Sequence, residues 1–221
     1  MMNEALQMNR PAAQDRSLVV IVDDDAAVRA SIEELMLSVG IDTASFGSTR
    51  ELLDAELPER PGCLVLDVRM PGSSGLDLQR HLAASGNAKP IIFLTGHGDI
   101  PMSVQAMKAG AIDFLTKPVR DQSLLDAVAR GIERDLAQRV GAQIAKLQAD
   151  RFDTLSPRER QVLRHVARGR LNKQVAFDLG ISEVTVKLHR SSVMRKMAVN
   201  TIGELIRAWD LLPESLKHEG T

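Results

Sequence analysis

The sequence predicts an α/β doubly wound five-stranded parallel sheet followed by a small all-α domain, with a long helix joining the two. Three observations predict it. Between residues 17 and 132, five short apolar runs alternate with five stretches of helical periodicity, and the connections are brief. From 120 to about 150 an apolar residue recurs every three or four positions with no proline to interrupt it. Beyond 151 every apolar pattern is helical, and the charge changes sign. Residues 1–150 hold 15 Lys and Arg against 21 Asp and Glu, whereas residues 151–221 hold 13 against 8. The expected domains are 17–132, a helical linker over 133–150, and 151–216.

Taken in order, Leu18–Val22 is a strand, because five consecutive branched apolar residues suit a sheet buried on both faces. Ala26–Val39 is a helix with Val28, Ile32, Leu35 and Val39 on one face, stopped by Gly40. Ile41–Phe46 is a short strand, and Ser48–Leu57 is a Ser-capped helix ended by Pro58. Leu64–Asp67 is the third strand, with Met70-Pro71-Gly72 forcing a turn after it. Ser74–Ser85, Pro90–Thr95, Ile100–Ala109 and Ala111–Thr116 complete the alternation. In the long helix, Leu125, Val128, Ile132, Leu136, Val140, Ile144 and Leu147 form the apolar stripe, and Gly131 and Gly141 read as flexible points. The distal half of that stripe packs either on its own domains or on another chain as a short coiled coil.

Composition excludes several classes. No apolar run approaches the ~20 residues that a membrane span needs, and the polar start at 1–17 lacks the apolar core of a signal peptide, which suggests a flexible tail in a cytoplasmic protein. The single cysteine, Cys63, rules out an intrachain disulfide and a cysteine-cluster metal site. Over 158–196 there are 10 basic residues against 3 acidic, which points to a polyanion as the second domain's partner.

In a parallel sheet all strand carboxyl ends reach one edge, so Asp23, Asp24, Asp67, Thr95 and Lys117 should converge there. Three crowded carboxylates repel unless a cation lies among them. Hard oxygen donors with few protein ligands favour Mg²⁺. A carboxylate, a hydroxyl and an ammonium around such a metal suit phosphoryl transfer to the carboxylate. An aspartyl-phosphate hydrolase would need a second acid two residues beyond Asp67. That position is Arg69, which cannot exchange a proton near neutrality. His97 reads as a solvent-facing loop residue.

Val22-Asp23-Asp24, Asp67 with Met70-Pro71-Gly72, Thr95-Gly96 and Lys117-Pro118 together resemble the signature of a two-component receiver domain, whose fold is flavodoxin-like. The resemblance implies that Asp67 accepts a phosphoryl group from a sensor histidine kinase. It implies Mg²⁺ held by Asp24, Asp67 and the Arg69 backbone carbonyl, with Asp23 acting through water. Thr95 and Lys117 would meet the phosphoryl group, and Phe114 would rotate as Thr95 moves. The Lys117–Pro118 bond is usually cis in that family. Val119 stands where many relatives have Phe.

In the second domain, Ser156, Pro157 and Glu159 make a helix start. The helix Pro157–Arg168 buries Val162, Leu163 and Val166. Asn172–Leu179, a turn at Gly180-Ile181-Ser182, and the basic helix Glu183–Met197 follow helix-turn-helix logic, with Thr201–Leu212 after them. Lys187, Arg190, Arg195 and Lys196 fall on faces other than the one that buries Val186, Val193 and Met197. Leu155-Ser156-Pro157-Arg158-Glu159, Asn172-Lys173-Gln174-Val175-Ala176 and Ile181–His189 resemble the LuxR-type DNA-binding domain, and with the receiver they place the chain near the FixJ side of the NarL/FixJ class. The resemblance implies that Lys187, Leu188 and Ser191 read base edges, although Ser191 stands where relatives have Lys. It gives Lys173, Thr185, Arg190 and Arg195 to phosphates. It also places a phosphorylation-dependent homodimer on the helix that carries Val104 and Lys108, which makes the operator an imperfect palindrome in double-stranded DNA. The reading is a phosphorylation-switched transcription regulator, not an enzyme. The opposing reading is a phosphorylation-independent DNA-binding protein that keeps its receiver as a dimerisation module.

Overall fold

β-branched and leucine side chains on both sides of the backbone demand two covered faces, and the first, third and fourth strands find them. The structure, a computed structural model, describes residues 16–71, 74–85, 89–96 and 100–218. His97 and residues 1–15 of the expected N-terminal tail lie outside the described residues, whereas Arg16 and Ser17 are held in place, their carbonyls accepting from Arg60 Nε at 2.8 Å and from the Asp42 N–H at 3.2 Å. The chain runs β1 (Leu18–Val22), α1 (Ala26–Ser38), β2 (Asp42–Phe46), α2 (Thr49–Asp54), β3 (Gly62–Asp67), α3 (Gly75–Ala84), β4 (Ile91–Thr95), α4 (Ile100–Lys108), β5 (Asp113–Thr116) and α5 (Asp121–Asp153). All strand pairs are parallel, in the order β2-β1-β3-β4-β5. The order reverses between β1 and β3, and a crevice at their carboxyl ends is where such sheets hold ligands.

The pleat sorts the core into two layers. Val20, Val22, Leu64, Leu66 and Phe93 face α2, α3 and α4 through Leu52, Leu78, Leu82 and Ala106. Val19, Ile21, Cys63, Val65, Ile92 and Leu94 face α1 and α5 through Ile32, Met36, Leu124, Ala127 and Val128. Cys63 is a buried structural thiol whose pKa burial pushes up to about 12.

Several expectations change. α1 buries Ile32 and Met36, and Val28 and Leu35 pack partly buried against the same core, while Val39 caps its end and is 49% exposed, so of the stripe read from spacing only Val39 leaves the core, and Met36 joins it. α2 stops at Asp54, because Ala55 turns extended before Pro58 is reached. β5 starts at Asp113, since Ala111 still donates to the Ala106 carbonyl in the turn that closes α4. α5 is one unbroken helix. A Cβ on its Gly131 would come within 2.9 Å of the Cys63 Cβ, so this glycine permits close packing on β3, which replaces the reading of a flexible point. Gly141 has open space where a side chain would stand. The distal stripe residues Leu136, Val140, Ile144 and Leu147 are exposed.

The chain divides into two compact units, Met1–Gln138 and Arg139–Thr221. The second contains α6 (Pro157–Ala167), α7 (Asn172–Leu179), α8 (Glu183–Lys196), α9 (Ile202–Asp210) and α10 (Glu214–His218). Phe152, Val162, Leu163, Val166, Val186, Val193, Met197 and Leu205 form its core. α6 opens on a complete capping box. The Glu159 N–H donates to Ser156 Oγ at 3.3 Å, and the Ser156 N–H donates to Glu159 Oε2 at 2.7 Å. Ser182 caps α8 by accepting from the Thr185 N–H at 3.1 Å. α10 was not expected from the sequence; its Leu216 packs on the core.

Candidate functional site

Asp23, Asp24, Asp67, Thr95 and Lys117 all stand at or just past the carboxyl ends of strands. Val22 ends β1, and Asp23 follows it into the interior, only 1% exposed. Asp24 points to solvent. Asp25, third in the acidic run, accepts from the Ala27 and Val28 N–H groups and so starts α1. Asp67 is the last residue of β3 and is buried. Behind it, a Cβ on Gly75 would lie 2.3 Å from the Asp67 carbonyl oxygen, so only glycine lets α3 begin this close to the strand end.

Asp23, Asp24 and Asp67 each offer a carboxylate oxygen within 4.8 Å of the others. Lys117, one residue past β5, donates to Asp23 Oδ2 at 2.5 Å and to Asp67 Oδ2 at 2.8 Å. The Arg69 N–H donates to Asp67 Oδ1 at 3.1 Å, and the Asp25 N–H donates to Asp23 Oδ1 at 3.0 Å. Thr95 is fully buried at the end of β4, and its carbonyl accepts from the Lys117 N–H at 2.7 Å. The Lys117–Pro118 peptide is cis. Phe114 is half-buried on β5, its ring 6.2 Å from that of Phe93.

Electrostatics follow from this crowding. Burial raises the pKa of Asp23, and the bonds from Lys117 and Asp25 only partly offset it. Burial also pulls Lys117 down, but its hydrogen bonds to Asp23 and Asp67 and their charges outweigh that, so its pKa rises and it stays an ammonium. Asp23 and Asp67 thus share the Lys117 ammonium, with the Asp24 carboxylate beside them. An all-oxygen donor set with uncompensated negative charge fits a hard divalent metal.

In the second unit α8 buries Val186 and Val193 and turns Lys187, Leu188, Ser191 and Arg195 outward. Lys173 is exposed on α7. Thr185 is half-buried, its hydroxyl 2.8 Å from that of Ser182. Arg190 is half-buried and its guanidinium donates to Asn172 Oδ1, which ties α8 to α7. Lys196 does not join the outward face. It donates to Glu159 Oε2 at 2.7 Å, and the Ser192 hydroxyl donates to Glu159 Oε1 at 2.6 Å. Burial opposes ionisation of Glu159, yet these partners and Ser156 hold its pKa down at about 2. Sequence reasoning saw Glu159 only as a helix-start residue, because nothing in the spacing says that the far end of α8 returns to it. On α4, Val104, Met107, Lys108 and Ile100 are exposed.

Two family models match the chain. Residues 19–129 match the response regulator receiver domain, and residues 153–209 match the bacterial regulatory proteins of the luxR family. Nodulation protein W of Bradyrhizobium diazoefficiens is 50% identical over 206 residues, covering 93% of this chain and 91% of that one. Transcriptional regulatory protein FixJ of Azorhizobium caulinodans is 44% identical over 189 residues, covering 86% and 90%. Among solved structures, response regulator StyR superposes with a TM-score of 0.74 at 44% identity, over 88% of this chain and 98% of its own. Full-length FixJ from B. japonicum gives 0.55 at 38% identity, over 89% and 97%.

Proposed function

From a chain that belongs to the two-component response regulators with a LuxR-type DNA-binding domain, we propose that Asp67 is the phosphoacceptor of a switch that controls dimerisation and operator binding. Such a chain is a transcription regulator rather than an enzyme. Its receiver implies a histidine kinase partner, and its helix-turn-helix implies DNA binding. The observation that carries the proposal is the Asp67 carboxylate, 2.8 Å from Lys117 Nζ and within 4.8 Å of carboxylate oxygens of Asp23 and Asp24.

In the proposed step, Asp67 Oδ forms a bond to phosphorus as the phosphohistidine N–P bond of the kinase breaks. A Mg²⁺ ion, when bound, neutralises the phosphoryl oxygens. Asp24, Asp67 and the Arg69 carbonyl would hold it, with Asp23 acting through water. Lys117 hands one of its two hydrogen bonds to a phosphoryl oxygen. The Thr95 hydroxyl turns toward the same group, and Phe114 follows into the space it leaves. The switch is moved only by contacts that differ between the two states, which here are those of Thr95 and Lys117. The exposed face of α4, with Val104 and Lys108 one turn apart, then meets its copy around a two-fold axis.

The dimer presents two α8 helices to an imperfect palindrome in double-stranded DNA. Lys187, Leu188 and Ser191 meet base edges, while Lys173, Thr185, Arg190 and Arg195 meet phosphates. The Arg190 bond to Asn172 supports this, because it orders the guanidinium at the α7–α8 junction. We place the receiver at 17–132, the linker at 133–150 and the DNA-binding domain at 151–216, in a cytoplasmic protein. No described helix is long and apolar enough to cross a membrane.

The test is the intact mass after incubation with a small acyl phosphate donor and Mg²⁺. The wild-type chain gains one phosphoryl group, and Asp67→Asn, nearly isosteric, gains none while keeping its circular dichroism. Persistent phosphorylation of the mutant places the acceptor elsewhere. No uptake by the wild type, with DNA binding intact, leaves the phosphorylation-independent regulator as the reading.

A further inference from the structure

Two valines two residues apart on α8 have opposite fates. Val186 is fully buried, whereas Val184 is 66% exposed. Leu188, one turn beyond Val184, is 68% exposed. At 100° per residue Val184 and Leu188 share the outward face with Ser191 and Arg195, and Lys187 borders it. This surface is otherwise polar. Two large apolar side chains one turn apart on it form a defined patch, not scattered exposure.

We propose that Val184 is a specificity-determining residue, which together with Leu188 reads thymine methyl groups in the major groove. The inference rests on the DNA-binding reading above and adds both a residue and a base class to it. Val184 is the second residue of α8. In helix-turn-helix proteins the N-terminal residues of the second helix are the ones that approach base edges. A valine can neither donate nor accept a hydrogen bond. The thymine C5-methyl is the one major-groove feature that is neither donor nor acceptor. Its branched Cβ leaves one strongly preferred rotamer in a helix, so the methyl groups are already placed before binding. The Ser182 cap fixes the turn that carries it, through the Thr185 N–H and hydroxyl.

Spacing narrows the target. One helical turn rises about 5.4 Å, and base pairs stack about 3.4 Å apart. Val184 and Leu188 therefore reach thymines one or two base-pair steps apart in each half-site. Lys187, beside them, suits the O6 and N7 acceptors of a neighbouring guanine.

The experiment selects duplexes from a random library with the full-length chain in the presence of the phosphodonor and Mg²⁺. Each thymine of the selected site is then replaced by uracil, which removes only the methyl. Affinity is read by fluorescence anisotropy. Uracil at each contacted position weakens wild-type binding about fourfold, the factor that burying one methyl is worth, and 5-methylcytosine there binds better than cytosine. Val184→Ala loses the uracil effect at one position and keeps it at the other; Leu188→Ala does the reverse. Val184→Ala is a safe variant, since the site is exposed and alanine favours helix. Full uracil sensitivity in Val184→Ala overturns the proposal. So does a selected site without thymine, which would give the apolar face to a protein partner instead. Failure of the wild-type chain to select any duplex defeats the DNA-binding reading itself.

Discussion

Asp23 in the first unit and Glu159 in the second are both buried acids, and the two behave oppositely. Asp23 is 1% exposed and its pKa is raised; Glu159 is 6% exposed and its pKa is lowered to about 2. Burial opposes ionisation in both, so the difference lies in their partners. Glu159 accepts from Lys196, the Ser192 hydroxyl and the Ser156 N–H, and the Lys196 ammonium serves no other carboxylate among the described contacts. Asp23 shares the Lys117 ammonium with Asp67, and Asp24 adds a third negative charge nearby. A buried acid whose partners suffice fastens helices together. One whose partners fall short is suited to a further cation.

The largest effect comes from breaking the satisfied acid. Glu159→Ala removes the second half of the α6 capping box, leaves the Ser192 hydroxyl without its acceptor, and leaves the Lys196 ammonium with the Thr154 carbonyl but no carboxylate. Loss of a buried pair typically costs 3–5 kcal/mol. Lys196 is 31% exposed, so solvent recovers part of that, and about 3 kcal/mol is expected. Urea unfolding followed by Trp209 fluorescence measures it, because the sequence has one tryptophan and its ring lies 6.3 Å from that of Phe152 in the DNA-binding core. The pH dependence has a fixed sign. With a folded pKa of about 2 against an ordinary 4.5, the Glu159 contribution is complete above pH 4.5 and is lost as pH falls toward 2. A mutant as stable as the wild type at pH 7 would show that the pair adds nothing.

Somewhat smaller is the gain from satisfying the unsatisfied cluster. Mg²⁺ that binds only the folded receiver stabilises it by about 2.7 kcal/mol at one hundred times its dissociation constant. Calorimetry should show the receiver transition rise with Mg²⁺, and Asp24→Asn should remove most of that rise. Glu159→Ala should leave the rise intact. Retention of the full Mg²⁺ effect in Asp24→Asn would move the metal away from the acidic cluster.

The contrast also explains what the sequence could and could not reveal. A parallel sheet sends every strand carboxyl end to one edge, so Asp23, Asp67, Thr95 and Lys117 were legible from strand order alone, and the structure brings them together. The five strands and the helix-turn-helix were legible because apolar period and caps are local signals. What failed was what depends on a distant neighbour. Gly131 read as a weak point until β3 was seen 2.9 Å from its missing Cβ. Lys196 read as one more surface cation until Glu159 was seen 2.7 Å away. Val39 matched the helical period yet sits where α1 ends. Val184 carried no signal because the same pattern suits a core position.

The smallest effect is the most discriminating, because its sign should change with conditions. Asp23→Asn removes one charge from the two carboxylates that share Lys117, beside a third at Asp24. The raised pKa of Asp23 means that its charged form is a penalty to the folded state at neutral pH. The asparagine relieves that penalty but weakens one hydrogen bond from Lys117, so without metal the mutant should be more stable by less than about 1 kcal/mol. The difference should shrink as pH falls through the folded pKa of Asp23, and the charge penalty is gone below the ordinary 3.8, where the wild-type residue is protonated in both states. At saturating Mg²⁺ the order should reverse, because the wild-type charge then meets a cation. Urea unfolding of both proteins at neutral pH, with Mg²⁺ and with chelator, measures the sign. A mutant less stable than the wild type in chelator would mean that Lys117 already satisfies Asp23 as fully as Lys196 satisfies Glu159, and the distinction between the two acids would fall.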